Sequence, residues 1–286
     1  MYDVIIIGTG PAGISAGIYT ARAKLSTLVI GASSGALAKA DKIENYYGFS
    51  SPIPGEKLLG EGLAQAKSVG AEIITDQVVN VGYEEGYTVK TNGAEYKAKA
   101  VVIATGSNRT APKIDGFTRF EGQGISYCAV CDAFFYRGKD VAVLGCCEYA
   151  LHEACELLPI AKSVTMLTNG TAPIPDIPEN IPVMTTQIAA LEGQEVLERV
   201  RFTDGTELPV AGVFVAIGVA GSSDLAKKLG AETEGLRIVV DENMATNLPG
   251  LFAAGDCTGG MMQIAKAVYE GAKAGTQAVK FVRNNK

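Results

Sequence analysis

The stretch VIIIGTGPAGISAGIYTARA, residues 4–23, decides the fold, because an apolar run enters a glycine turn and continues as a helix. Gly8, Gly10 and Gly13 follow that run with the spacing G-x-G-x-x-G. The first glycine permits the tight turn, the second lets the backbone approach a pyrophosphate, and the third lets helix and strand pack closely. Pro11 suits the first helical turn, and the helix N-terminus offers N–H groups to phosphates. The stretch therefore predicts a dinucleotide site.

A second unit of the same order begins with VAVLGCCEYALHEACELL, residues 141–158. The first unit is followed by an Asn-Gly hairpin signal at 92–93 and by the strand-like run VVIATG (101–106). The second unit is followed by Asp-Gly at 204–205 and by VFVAIG (213–218). Unbroken runs of Val and Ile suit parallel strands that are covered on both faces. The chain therefore predicts an α/β fold with two doubly wound, Rossmann-type domains.

The domain boundaries follow from the end of the chain. Residues 237–286 contain AAGDCTGG and then a long helix-like run, which resembles a completion of the first domain. We expect residues 1–111 and 237–286 to form one domain and residues 112–236 to form a second domain inserted into it. A length of 286 residues suits two domains.

Composition excludes several classes of function. The formal net charge of −6 argues against binding to nucleic acid or to an anionic membrane surface. No run reaches the roughly 18 apolar residues that a membrane helix needs. The chain enters its glycine motif without a positive leader, so a cytoplasmic protein is expected. The cysteines include one C-x-x-C pair and no zinc spacing, so redox exchange is expected and a metal site is not.

Two further motifs indicate which dinucleotide is bound. Gly255-Asp256 ends an apolar run and opens a helix, which resembles the second FAD signature of flavoprotein disulfide reductases, where the Asp meets the ribityl chain. Ala104-Thr105-Gly106 matches a short strand-end motif of the same superfamily. Together with the first turn, these motifs imply an FAD site. The residues expected to bind FAD are Gly8, Gly10, Pro11, Ala12, Gly13, Gly35, Asn45, Ala104, Thr105, Gly106, Gly255, Asp256, Gln263 and Ile264.

Residues 126–138 read SYCAVCDAFFYRG, and C-A-x-C-D-x-F-F-Y closely resembles the redox motif of the low-molecular-weight thioredoxin reductases. IENYYGF (43–49) also resembles their segment near FAD. The resemblance implies a homodimeric enzyme in which Cys128 and Cys131 form the redox disulfide that reduces thioredoxin. It also implies that Asp132 protonates the departing thiolate. Which cysteine faces the flavin and which attacks thioredoxin stays open.

The second glycine turn departs from that family. Its members bind NADPH there with G-x-G-x-x-A, whereas here the second glycine is Cys147, whose side chain would occupy the space of the pyrophosphate. Glu148, at the start of the helix, would repel phosphate. The family's basic segment for the 2′-phosphate is replaced by MLTNGTAPIPDIPEN (166–180), and no Arg occurs between Arg137 and Arg199. We therefore expect this domain to keep its fold without a nucleotide.

A flavin without a nicotinamide partner needs another source of electrons. The pattern resembles the ferredoxin-dependent flavin thioredoxin reductases, which implies a route from reduced ferredoxin through FAD and the dithiol to thioredoxin. Ferredoxins near about −400 mV are reducing enough for thioredoxin near about −270 mV. Two alternatives remain: an NAD(P)H-dependent thioredoxin reductase with an unusual turn, and a non-turnover flavin redox sensor or scaffold.

The remaining side chains receive plainer interpretations. Cys146, Cys147 and Cys155 are expected to be small apolar fillers, and His152 is expected on a helix surface. Gly31 stands where an acidic residue often holds a ribose. A basic docking patch for an acidic ferredoxin would come from Lys266, Lys273, Lys280, Arg283, Arg22 and Lys24.

Overall fold

A computed structural model of the chain describes residues 1–32, 35, 37–106, 112–127, 129–217 and 222–285, with the backbone alone at Lys39, Val130, Cys131 and Ser222. The chain divides into two compact units, Met1–Asn108 with Gly221–Lys286 and Arg109–Ala220. The secondary structure of each unit explains this division.

The strands among the described residues are, in chain order, β1 (Tyr2–Ile7), β2 (Thr27–Gly31), β3 (Glu72–Thr75), β4 (Val78–Tyr83), β5 (Tyr87–Thr91), β6 (Glu95–Ile103), β7 (Ile125–Ser126), β8 (Asp140–Leu144), β9 (Ser163–Leu167), β10 (Val183–Met184), β11 (Ile188–Glu192), β12 (Arg199–Phe202), β13 (Glu207–Pro209), β14 (Gly212–Val215), β15 (Thr233–Glu234), β16 (Arg237–Ile238) and β17 (Leu251–Ala253). The α-helices are α1 (Pro11–Arg22), α2 (Gly55–Ser68), α3 (Ala129–Asp132), α4 (Glu148–Leu157), α5 (Ser222–Lys228) and α6 (Ile264–Asn284). None of these helices is long and apolar enough to cross a membrane.

The first unit is built on a mixed sheet with the order β3-β2-β1-β6-β5-β4, in which β17 also pairs with β6. Strands β1, β2, β3, β6 and β17 run parallel, whereas β4 and β5 continue the sheet antiparallel. Val4 and Ile6 of β1 pack in one buried cluster with Ala16 of α1 and Ala274 of α6. The carboxyl ends of β1, β6 and β17 therefore meet at one edge, where ligands bind in folds of this class.

The second unit repeats the doubly wound plan in a smaller form. Its parallel sheet has the order β10-β9-β8-β14-β7, and a separate antiparallel sheet is formed by β11, β12 and β13. Ala142 and Leu144 of β8 are buried in a core that also contains Phe202 and Val213. The predicted α/β class with two Rossmann-type domains is confirmed.

The second domain boundary differs from the one drawn on the sequence. The sequence places it after residue 236, whereas the contacts of the chain place it after Ala220. The reason is that α5 packs on β4 and β16 and so belongs to the first unit. The first break between the units lies after Asn108, whereas the sequence places it after residue 111.

Candidate functional site

The first glycine turn connects β1 to α1 at the carboxyl edge of the parallel sheet. Gly8 has a φ of +122°, and a Cβ on it would lie 2.2 Å from the carbonyl oxygen of Ala104. A Cβ on Gly13 would lie 1.8 Å from the carbonyl oxygen of Gly8. The packing of the protein itself therefore requires both glycines.

Gly10 differs from Gly8 and Gly13, because neither its backbone conformation nor its packing requires a glycine. Its φ of −76° is one that any residue adopts, and a Cβ on it would have no neighbouring atom within 4 Å among the described residues. Neither the backbone nor the packing explains a glycine here. An open space in front of a helix N-terminus is where a dinucleotide pyrophosphate lies, so the turn fits that ligand.

The N-terminus of α1 offers donors to such a phosphate. The helix begins at Pro11 and carries no acidic residue in its first turn. Its first helical hydrogen bond joins the Ile14 amide to the Gly10 carbonyl at 2.9 Å. The amides of Ala12 and Gly13 precede that bond, so they belong to the unsatisfied donors of the helix end.

The strand-end motif lies beside this turn. The amide of Ala104 donates to the carbonyl of Ile7 at 2.7 Å. The backbone nitrogen of Thr105 would lie 3.1 Å from a Cβ on Gly8, and Gly106 turns the chain with a φ of +75°. The structure therefore brings the glycine turn at residues 8–13 and the Ala104-Thr105-Gly106 motif together.

The second FAD motif also meets the first turn. Gly255, with a φ of +89°, is placed so that a Cβ on it would lie 2.9 Å from the Cβ of Ala12. A Cβ on Gly271 would lie 2.0 Å from the carbonyl oxygen of Ala12. Asp256 follows Gly255, and its carboxylate makes no hydrogen bond to the described part of the chain. It fits a ligand hydroxyl of the kind that a ribityl chain presents.

A buried ion pair lies under the Gly255 turn, and it was not predicted. Lys266 Nζ is 3.0 Å from Glu270 Oε2, and the two side chains are only 13% and 11% exposed. Lys266 also donates to the carbonyl oxygens of Gly255 (2.8 Å) and Gly259 and to Thr258 Oγ1 (3.0 Å). Glu270 accepts hydrogen bonds from the amide of Gly255 at 2.8 Å and from the Thr258 hydroxyl at 2.9 Å. The prediction that Lys266 belongs to an exposed basic patch is wrong.

Two other predicted FAD residues contact each other. Asn45 Nδ2 donates to Gln263 Oε1 at 2.9 Å, and Gln263 directly precedes Ile264, the first residue of α6. Gly35 lies in a turn with a φ of +65°, and a Cβ on it would meet no atom of the described residues within 4 Å. The contact of Asn45 with Gln263 brings the 43–49 segment to the N-terminus of α6.

Steric crowding explains why Gly31 stands where related folds often have an acidic residue that binds a ribose. A Cβ on Gly31, at the end of β2, would lie 2.2 Å from Thr9 Oγ1 and 2.6 Å from its methyl carbon. Thr9 therefore fills the space that a longer side chain at position 31 would need.

The dithiol segment lies in the second unit. Cys128 is outside the described residues, and Cys131 is described by its backbone, which belongs to the single helical turn α3. Asp132 Oδ2 accepts a hydrogen bond of 2.6 Å from Ser126 Oγ, a contact that the sequence did not predict. Burial, and then the charge of Asp132, raise the pKa of Tyr136 above its ordinary value. Ser126 therefore orients the predicted proton donor.

The second glycine turn, between β8 and α4, resembles the first turn in the packing of its first glycine. A Cβ on Gly145 would lie 2.2 Å from the carbonyl oxygen of Ala216, just as Gly8 is pressed against Ala104. Cys147 precedes α4 with an extended φ of −131°, and its thiol donates to the Ala216 carbonyl at 3.7 Å. Glu148 is the first residue of the helix and is exposed. Sulfur and a carboxylate therefore stand at the helix end.

The chain after β9 closes on itself instead of presenting cations. Asn169 Oδ1 accepts a hydrogen bond of 2.7 Å from the amide of Ile188, and the Thr168 hydroxyl donates to the carbonyl of Thr171 at 2.5 Å. Residues 168–182 contain no helix, in agreement with the prolines of this stretch.

The plainer interpretations are partly wrong. Cys155 is exposed and therefore fills no core, whereas Cys146 and Cys147 are half-buried. His152 is not a surface residue, because its side chain is 13% exposed and its Nδ1 is buried without a hydrogen-bond partner among the described residues. Cys257, directly after Asp256, is fully buried, and burial raises the pKa of its thiol to about 12.

The chain is similar to several known proteins. The family described as pyridine nucleotide-disulphide oxidoreductase matches residues 2–271. The thioredoxin reductase of Aquifex aeolicus is 37% identical over all of this chain and 95% of its own length. The crystal structure of the atypical thioredoxin reductase TRi from Desulfovibrio vulgaris Hildenborough is similar with a TM-score of 0.91 and 41% identity, covering 99% of both chains. A ferredoxin-flavin thioredoxin reductase from Clostridium acetobutylicum is similar with a TM-score of 0.70 and 32% identity, covering 99% of this chain and 98% of its own.

Proposed function

This chain belongs to the pyridine nucleotide-disulphide oxidoreductase family and, within it, to the thioredoxin reductases, and from this premise we propose that it reduces thioredoxin with electrons from reduced ferredoxin instead of NADPH. The reactive pair is Cys128 and Cys131. A homodimer that works in the cytoplasm is part of the proposal. One observation carries the proposal: a Cβ on Gly10 would meet no described atom within 4 Å, whereas the corresponding position before α4 in the second unit holds the side chain of Cys147.

The cofactor of this group of enzymes is FAD, and the first unit fits it. When bound, FAD supplies a centre that accepts electrons singly and delivers a pair to a disulfide. We assign the pyrophosphate to Gly10 and the amides of Ala12 and Gly13, and the ribityl chain to Asp256. The network of Lys266 and Glu270 would hold Asp256 in place through the backbone of its turn.

The dithiol would perform the exchange with thioredoxin. A thiolate of the pair attacks the disulfide of thioredoxin, and a mixed disulfide is resolved by the other cysteine. Asp132 gives its proton to the departing thiolate. Ser126 supports this role, since its hydrogen bond of 2.6 Å fixes one oxygen of the carboxyl group.

Three independent features argue against a nicotinamide nucleotide in the second unit. The side chain of Cys147 would take the space of a pyrophosphate, and Glu148 places a negative charge where α1 has none. The turn at Thr168–Thr171 is tied by its own hydrogen bonds and contains no cation for a 2′-phosphate. The first two features act on the pyrophosphate of NADPH or NADH, and the third acts on the 2′-phosphate of NADPH.

A one-electron protein carrier is the donor that remains. The similarity to the ferredoxin-flavin thioredoxin reductase of Clostridium acetobutylicum supports ferredoxin in this role. With Lys266 buried, the cations left for docking are Arg22, Lys24, Lys280 and Arg283 at the ends of α1 and α6, together with Lys273. Arg283 donates to the carbonyl of Ala23 at 3.1 Å, which brings the ends of the two helices together.

A groove in the first unit supports the homodimer. Its volume is about 940 Å³, and its lining includes Ile14, Tyr19, Tyr46 and Phe49. Two of its lining residues are strongly exposed, Tyr47 at 98% and Phe49 at 44%. Large exposed aromatic side chains next to an apolar groove are typical of protein interfaces.

The test is an anaerobic assay of thioredoxin reduction with photochemically reduced ferredoxin. We expect many turnovers per enzyme, and we expect Cys128→Ser and Cys131→Ser to abolish turnover while FAD stays bound. Turnover in either serine variant would refute the assigned dithiol. A single reduction without further cycles would favour a redox sensor, and turnover with NADPH in place of ferredoxin would favour an ordinary thioredoxin reductase.

A further inference from the structure

A buried carboxylate on α4 contacts the backbone of the dithiol segment. Glu153 is 1% exposed, and its Oε2 accepts a hydrogen bond of 2.8 Å from the amide of Ala129, which is fully buried. Ala129 directly follows Cys128 in the sequence and is the first residue of α3. The contact therefore anchors the backbone next to the first cysteine of the pair.

Glu153 stands on the face of α4 that packs into the second unit. The other buried residues of this helix are Tyr149, Ala150, Ala154 and Leu157, so the helical spacing predicts an apolar residue at position 153. Burying a carboxylate costs free energy unless it is paired or hydrogen-bonded, whereas an apolar side chain of similar size would pack without that cost. The carboxylate therefore has a use that packing does not explain.

The acceptor is held by Ala129 and not by its helical neighbour. Glu153 Oε1 lies 3.8 Å from His152 Nδ1, which is too long for a hydrogen bond. Glu156, one turn further on, lies 3.7 Å from His152 Nε2, and its side chain is 41% exposed. The same helix thus carries a second glutamate near the same histidine.

We propose that Glu153 is a positioning residue for the redox dithiol. By accepting the amide of Ala129, it anchors the backbone between Cys128 and Cys131 and so favours closure of their disulfide. This inference rests on the proposed function, since it takes these two cysteines as the exchanging pair. Two thiols held by a fixed backbone have a high effective concentration for each other, and a loosened backbone lowers it. A charged acceptor suits the task because its hydrogen bonds are stronger than those of neutral groups.

The experiment measures the equilibrium of the holoenzyme with dithiothreitol. In each exchange, two electrons and two protons pass from the reagent, which becomes a cyclic disulfide, to the protein disulfide, which becomes two thiols. Alkylation and peptide mass spectrometry read Cys128 and Cys131 separately from the other cysteines. For Glu153→Met, we expect the equilibrium to move about tenfold toward the dithiol, equivalent to about 30 mV. For Glu153→Gln, which keeps an acceptor oxygen, we expect most of this shift to be rescued.

Glu156→Met is the matched control, and we expect it to leave the equilibrium constant unchanged. Glu153→Asp keeps the charge but shortens the reach to Ala129, so it should behave like Glu153→Met even if the methionine variant folds poorly. An unshifted equilibrium in Glu153→Asp, or a shift in Glu153→Gln as large as in Glu153→Met, would overturn the inference. Thioredoxin reduction by Cys128→Ser or Cys131→Ser would instead overturn the proposed function, so the two failures are distinct.

Discussion

Gly10 and Cys147 occupy the same place in the two halves of the molecule. Each is the extended residue that directly precedes a helix, at the end of a turn whose first glycine is pressed against the carbonyl of a neighbouring strand. A Cβ at Gly10 would meet no atom of the described residues within 4 Å, whereas at Cys147 a thiol is present and donates to the Ala216 carbonyl. The two halves therefore share a fold and differ where a phosphate would lie.

We expect Gly10→Cys to abolish FAD binding without destabilising the protein. The backbone at Gly10 accepts any residue and a Cβ there would touch no atom in the described part of the chain, so the apoprotein should unfold at the wild-type denaturant concentration. The sulfur would fill the space of the pyrophosphate. Released FAD per chain and chemical unfolding of the apoprotein are the measurements. Cys147→Gly is the control and should keep its FAD; a full complement of FAD in Gly10→Cys would contradict the assignment of this turn.

Gly13→Ala, in contrast to Gly10→Cys, should lower the unfolding free energy of the protein. A Cβ at this position would lie 1.8 Å from the Gly8 carbonyl oxygen, so helix and strand must separate. Overpacking of this kind costs about 2 kcal/mol of unfolding free energy, and the cost should be seen in the apoprotein as well. Equilibrium unfolding in urea measures it. If Gly13→Ala had the same unfolding free energy as Gly10→Cys, the claim that packing requires Gly13 but not Gly10 would be contradicted.

Breaking the buried ion pair should weaken both the fold and FAD retention. Lys266→Met leaves Glu270 buried and unpaired, which should cost about 3 kcal/mol of unfolding free energy. Adding Glu270→Gln to Lys266→Met should recover part of that cost, because the unpaired charge is gone. Lys280→Met, on the exposed face of the same helix, serves as control and should stay within about 0.5 kcal/mol of wild type. If the losses of unfolding free energy from Lys266→Met and Glu270→Gln simply added in the double variant, the coupling between Lys266 and Glu270 would be contradicted.

The cysteines should differ in their reaction with iodoacetamide. Cys155 is exposed and should be labelled in the native protein, whereas Cys257 is buried with its pKa raised to about 12 and should not react. Mass spectrometry of peptides after native and denatured labelling separates the two. Native labelling of Cys257 at a rate close to that of Cys155 would contradict its place in the core.

The same thiol predicts a loss of stability at high pH. The ordinary thiol pKa of 9.0 applies to the unfolded chain and about 12 to the folded one. The unfolded state therefore ionises first, so the contribution of Cys257 is fully present below pH 9.0 and is lost as the pH rises toward 12. Unfolding midpoints across this range should fall less steeply in Cys257→Ala than in wild type. If the unfolding midpoints of Cys257→Ala and wild type fell equally steeply with pH, the raised pKa of Cys257 would be contradicted.

Much of the fold could be predicted because its signals are local. The glycine turn at residues 8–13 carries its strand and its helix with it, and the hairpins at 92–93 and 204–205 both exist. Their turn types differ: Gly205 has a φ of +86° in a connection of four residues, whereas Gly93 lies outside the left-handed region in a connection of three residues. Hairpin length depends on strand pairing, which a dipeptide does not determine.

The residues that the sequence did not reveal are those whose role depends on distant neighbours. Lys266 and Glu270 are four residues apart, and this spacing fits an exposed ion pair as well as a buried one. Their burial follows from the Gly255 turn lying on α6. Glu153 was hidden for a similar reason, because its partner Ala129 is 24 residues away in the sequence.

The most direct test of the central claim is anaerobic mixing of the FAD-loaded enzyme with excess NADPH, and separately with NADH, while the visible absorption of the flavin is followed. With Cys147 and Glu148 at the second turn, we predict that neither nucleotide bleaches the flavin on the time scale of turnover, whereas reduced ferredoxin does. Rapid bleaching by either nucleotide would contradict the claim that the second unit has no nucleotide site.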